Sequence, residues 1–183
     1  SAVEEANCLI CHNGHVATTD IERVLNKLYV HPVRDTSGVH DPTEDIVVSE
    51  RHVECEDCHD PHVAATTLGT EDGGALAHVA GVSISGAKVY PIDHEYELCF
   101  RCHGDSPGKA PPYVFRLDSE DNVRREFDPN NLSYHPVAAA GRNPFVPSLK
   151  PPLTTTSIIR CSDCHNNDGT GGVRGPHGSD YPA

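Results

Sequence analysis

The sequence has no methionine and no tryptophan, and only four phenylalanines and six tyrosines in 183 residues. Large aromatic side chains carry much of the burial in an ordinary core, so a chain with so few is not expected to build one from side chains alone. Without methionine, no thioether is at hand as a metal ligand. Basic residues are scarce too, 14 against 27 acidic ones, for a formal charge of -13. That balance speaks against nucleic acid and anionic membrane surfaces as partners. No apolar run approaches the roughly 20 residues of a membrane-spanning helix.

Cysteine is present in one pattern only. Cys8-Leu-Ile-Cys11-His12, Cys55-Glu-Asp-Cys58-His59, Cys99-Phe-Arg-Cys102-His103 and Cys161-Ser-Asp-Cys164-His165 are four C-x-x-C-H motifs that use all eight cysteines. This is the attachment signature of a c-type haem. Two thiols about one helical turn apart add across the two vinyl groups of one porphyrin, and the next residue, His, reaches the iron. Paired C-x-x-C motifs also build zinc sites, but zinc does not require a histidine after every second cysteine. A thioredoxin-like motif is a single C-x-x-C in an α/β pattern, and a disulfide framework leaves the four histidines unexplained. The sequence therefore predicts four covalently attached haems c, with His12, His59, His103 and His165 as proximal iron ligands.

Four haems also answer the question of the core. Fifteen glycines and fifteen prolines argue for many turns and few long elements. The expected fold is a loop-rich single domain, 1–183, with a few short helices and at most a small hairpin, wrapped around a haem stack. Thr18-Thr19-Asp20 offers caps for a helix whose stripe is Ile21, Val24, Leu25 and Leu28. Ser49 is expected to cap a helical turn over Arg51, His52 and Val53, and Glu95 to Leu98 to lead as a helical turn into the third motif. Val82, Ile84 and Val89 suggest a short strand. A hairpin is predicted from Tyr113–Leu117 and Val123–Phe127, and an extended run from Asn143 to Leu153.

An internal repeat divides the chain at about residue 93. Each half contains a C-x-x-C-H, then a His-Pro-Val (His31-Pro32-Val33; His135-Pro136-Val137), then a second C-x-x-C-H, then a Pro-His (Pro61-His62; Pro176-His177). With methionine absent, His/Met ligation is excluded and bis-histidine ligation is expected. The repeat nominates His31, His62, His135 and His177 as distal ligands, each beside a stiffening proline. His15 and His52, tied closely to motifs, are further candidates; His40, His78 and His94 have no repeat partner and read as bystanders.

The motif order, the His-Pro-Val segments, the Asp60-Pro61-His62 after the second motif and the Gly175-Pro176-His177-Gly178-Ser179 tail resemble the tetrahaem extracellular cytochromes of the OmcE type, which polymerise into nanowires. The resemblance spans essentially the whole chain. It implies a head-to-tail filament with a continuous haem stack, in which one distal histidine per subunit comes from a neighbouring copy, with His15 the first candidate. The expected function is electron transfer rather than enzyme catalysis, through copies of itself to other redox proteins or an extracellular acceptor. Haem attachment occurs outside the cytoplasmic membrane, so an extracellular or cell-surface place, or alternatively the periplasm, is expected after removal of a signal sequence. The rival readings are a monomeric periplasmic shuttle and a multihaem reductase with one open iron.

Overall fold

A computed structural model describes residues 4–35, 39–63, 74–109, 117, 120–168 and 173–182. The elements in chain order are α1 (Glu4–Leu9), α2 (Ile21–Val24), β1 (Tyr29–Val30), α3 (Cys55–Cys58), β2 (Gly81–Val82), β3 (Lys88–Val89), α4 (Glu95–His103), α5 (Val123–Glu126), α6 (Cys161–Cys164) and β4 (Gly178–Ser179). The fold is loop-rich as expected, with short helices and two small antiparallel sheets, β1–β4 and β2–β3. Among the described residues no helix is long and apolar enough to cross a membrane.

The side-chain core is small and gathers on α4. Tyr96 and Phe100 pack with Val82 and Val137, while Leu98 packs with Val79 and Ile92. The aromatic contacts run on from Tyr96 to Phe100 at 5.2 Å between ring centres, and from Phe100 to Phe127 at 6.3 Å. The hairpin β2–β3 lies close against α4. At Gly81 a Cβ would stand 2.7 Å from the Glu97 carbonyl oxygen, so only glycine lets the two backbones meet.

Asp20 caps α2 by accepting from the Arg23 N–H at 2.9 Å, as the sequence predicts. The helix is one turn long, however. Val24 and Leu25 are buried, but Leu28 is 74% exposed, so the predicted stripe does not extend to it. The chain turns instead into β1, which pairs with β4 in the tail, Tyr29 opposite Ser179 and Val30 opposite Gly178. This sheet, unforeseen in the sequence, ties the first half to the last residues of the second. Asp168 completes the clasp, accepting from Lys27 Nζ at 2.7 Å, from the Asp180 N–H at 2.6 Å and from the Ser179 hydroxyl.

Three local expectations are corrected. Residues 51–54 form no helical turn, and the helix begins at Cys55 itself. Val123–Glu126 is the helical turn α5, not a strand arm; of its predicted partner Tyr113–Leu117 only Leu117 lies within the described residues, outside any strand. The run from Asn143 to Leu153 is not continuously extended, because the Leu149 N–H bonds back to Val146 and that of Leu153 to Lys150.

Candidate functional site

All four motifs adopt one local structure. Each C-x-x-C forms a helical turn, in α3, α4 and α6 and at the end of α1, and the following His closes it. The N–H of His12, His59 and His165 donates to the carbonyl of the first cysteine at 3.0, 3.0 and 2.8 Å. None of the eight cysteines forms a disulfide. In α3 and α6 the aspartate before the second cysteine caps the turn: Asp57 accepts from the Glu54 N–H at 2.8 Å and Asp163 from the Arg160 N–H at 2.9 Å.

The motifs are joined in sequence order, and the first and third junctions are copies of each other. Glu4 and Glu95 each stand four residues before the first cysteine of their motif. Glu4 accepts from the N–H of Glu56 at 2.7 Å, and Glu95 from the N–H of Ser162 at 2.7 Å. In both cases a carboxylate meets the free N–H at the start of the next motif's helix, where the helix end favours negative charge. The thiols meet across the same junctions, Cys8 with Cys55 and Cys99 with Cys161. The middle junction is different. Arg101, inside the third motif, donates to Asp57 Oδ1 at 2.6 Å, to the Asp57 carbonyl at 3.2 Å and to Glu44 at 3.0 Å.

Five of the thiols sit where ionisation is disfavoured. Burial pushes Cys55 and Cys58 up to about 12 and raises Cys8 and Cys102; the bond to Cys161 and burial raise Cys99. Reactive thiols have the opposite environment, electropositive and partly exposed.

Two of the four nominated distal histidines face a motif histidine. His31 lies 6.3 Å from His103 between ring centres, and His177 lies 5.9 Å from His59 with the rings within 11° of parallel. His59 Nδ1 donates to the Ala75 carbonyl at 2.7 Å, which fixes the tautomer and leaves Nε2 free. His31 is held by a ring hydrogen bond to the Pro176 carbonyl. Burial pushes His103 and His177 down to about 4 and lowers His31, which keeps these imidazoles neutral.

The other two nominees are not brought to a motif histidine. His62 is 91% exposed, with Nδ1 3.3 Å from Asp60. His135 is exposed, its ring 6.4 Å from Phe127, although its local backbone matches its repeat partner: the Val137 N–H bonds to His135 O at 2.7 Å, as that of Val33 does to His31 O at 2.8 Å. His15 is exposed beside the first motif. His52 has both ring nitrogens engaged, Nδ1 with the Glu50 carbonyl at 3.0 Å and Nε2 with Glu44 at 3.2 Å. Glu4, Glu95 and Arg101 were missed by sequence reasoning, though the shared spacing E-x-x-x-C-x-x-C-H in motifs one and three was there to be seen.

These residues fit a covalently held haem at each motif: a thiol pair on one turn, an imidazole after it and, at two motifs, a second imidazole across a gap. Comparison of the chain with family models, with curated proteins and with solved structures found no match.

Proposed function

We propose that this chain is a tetrahaem c-type cytochrome that passes electrons along its four motifs and assembles head to tail into an extracellular conductive filament, delivering electrons to an external acceptor. The observation that carries the reading is the spacing of the two imidazole pairs. A metal holds imidazole nitrogen at about 2 Å, so two imidazoles on opposite sides of one iron have ring centres roughly 6 Å apart. His31 with His103, at 6.3 Å, and His59 with His177, at 5.9 Å, have that spacing.

Bound haem supplies one-electron chemistry, and two imidazoles on its iron leave no open position for a substrate. The chain's own part is to hold and orient. The cysteine pairs anchor, the proline-flanked histidines aim their rings, and Glu4, Arg101 and Glu95 fix the spacing from each motif to the next. A line of four motifs in sequence order is suited to passing electrons from end to end.

The filament part rests on which half serves which. His31 of the first half faces the first motif of the second, and His177 of the second half faces the second motif of the first. Displaced by one half, the same relation carries His135 to His12 of a following copy and His62 to His165 of a preceding one. His15, beside the first motif, is the alternative donor at that boundary. Both end motifs are open for such contacts, with Cys11, His12, Cys164 and His165 exposed. A heterologous contact of this kind propagates as a fibre when its rotation does not close into a ring.

Intact mass and a pyridine haemochrome assay test the first part, and negative-stain imaging the second. Four haems per chain and filaments are expected. A chain without covalent haem overturns the cytochrome, and haem-loaded particles of monomer size alone overturn the filament.

A further inference from the structure

The middle junction carries more negative charge than its fixed cation balances. Glu4, Glu54 and Asp57 are buried, Glu44 is half-buried, and Arg101 is the buried guanidinium among them. Glu4 is satisfied by the N–H groups of His40 and Glu56 at 2.9 and 2.7 Å, and Glu44 by Arg101 and His52 at 3.0 and 3.2 Å. Glu54 is not. It is 7% exposed, and its Oε2 has no hydrogen-bond partner among the described residues.

A second orphan lies beside it. His40 Nδ1 is buried and makes no hydrogen bond, although it stands 3.0 Å from Asp57 Oδ1; the angles are wrong for one. One donor atom from each of His40, Glu54 and Asp57 lies within 4.8 Å of the others. Two ligands held by a metal at about 2.1 Å are roughly 3.0 to 3.4 Å apart in octahedral or tetrahedral geometry. The pair at 3.0 Å has the separation of two ligands to one ion.

The internal repeat offers a control within the molecule. Glu54 immediately precedes the second motif, and the same place before the fourth is taken by Arg160. One copy sets a cation of its own beside the capping aspartate, Asp163. The other sets a carboxylate beside Asp57 and needs a cation from solution.

We propose that His40, Glu54 and Asp57 bind one divalent cation of the zinc class, bracing the loop at residue 40 against the second motif. An imidazole nitrogen with two carboxylates suits zinc and its first-row neighbours, whereas calcium takes oxygen ligands. The site is separate from the haem irons and gives a bystander histidine of the sequence a role.

The test uses the full haem-loaded protein, stripped with a chelator and titrated with Zn²⁺ in a calorimeter. One zinc per chain is expected, with calcium failing to compete. Glu54→Gln and His40→Ala should each weaken binding at least tenfold, and Glu54→Arg, which copies the second half, should abolish it while leaving the haem count unchanged. The His78→Ala protein, altered at an exposed histidine outside the site, should bind as the parent does. Absence of stoichiometric zinc, or equal affinity in the Glu54 and His40 variants, overturns the proposal. So does a Glu54→Arg protein of normal haem content whose melting temperature rises with zinc as the parent's does.

Discussion

Gly178→Ala tests how the tail delivers His177, and its effect can be worked from the backbone alone. A Cβ at residue 178 would lie 2.3 Å from the Val24 carbonyl oxygen and 2.9 Å from Val30 Cγ1. Carbon and carbonyl oxygen approach routinely to only about 3.3 Å, so β4 must retreat by about 1 Å. A retreat of that size takes the β1–β4 hydrogen bonds out of range, since N–H···O bonds of about 2.9 Å do not survive such a stretch. Overpacking of this kind costs about 1–3 kcal/mol, which in a chain of this size lowers the melting temperature by roughly 2 to 12 °C. His177, the neighbouring residue, moves away from His59. In the assembled, haem-loaded protein one haem of four is then expected to turn high-spin, read by electron paramagnetic resonance and the visible spectrum. Gly141→Ala is the control, because its Cβ meets only Pro136 Cβ at 3.9 Å. Four low-spin haems and an unshifted melting temperature in Gly178→Ala would refute the argument that the β1–β4 sheet positions the ligand.

His31→Ala should likewise turn one haem high-spin inside the single chain, and an unchanged spectrum would break the pairing with His103. His62→Ala removes a side chain 91% exposed and is expected to leave the monomer's spectrum unchanged while altering that of assembled material; a change in the monomer would place His62 on an iron of its own chain. Arg101→Met leaves Asp57 and Glu44 facing each other without their guanidinium, with Arg101 and Asp57 side chains only 6% and 5% exposed. Breaking such a buried pair costs about 3–5 kcal/mol, to be measured by denaturant unfolding; a loss under 1 kcal/mol would contradict it. Asp168 is held down to about 2 by hydrogen bonds from Lys27, Ser179 and the Asp180 N–H. Its folded value lies below the ordinary carboxylate range, so its contribution is complete above about pH 4 and is lost as the pH falls toward 2. Proteolysis of the tail should therefore quicken across that window in the parent, and Asp168→Asn should be cleaved quickly at every pH.

What the sequence made legible follows from range. The four motifs, the Asp20 cap, the turn into the third motif and the paired His-Pro-Val segments are local patterns, and each takes its form from residues within a few positions of itself. The failures come where distant residues decide. Val123–Phe127 reads as the basic arm of a hairpin, but the Phe127 N–H bonds to the Val123 carbonyl at 3.3 Å and Phe127 packs near Phe100, so the turn closes as a helix. Nothing local announces that Gly178 will meet Val24 or that Arg101 will cross 44 residues to Asp57. The repeat sits between these cases. It nominated His31 and His177, which lie beside motif histidines, yet gave no hint that each would face the other half. That exchange makes physical sense of the sequence order. A ligand placed between two motifs of its own half has little chain with which to turn back, whereas crossing to the other half lets β1 and β4 pair and bury Gly178. The same exchange leaves His135 and His62 without a motif in the chain that bears them, so the rule that closes the middle of the molecule is the one that leaves its ends open.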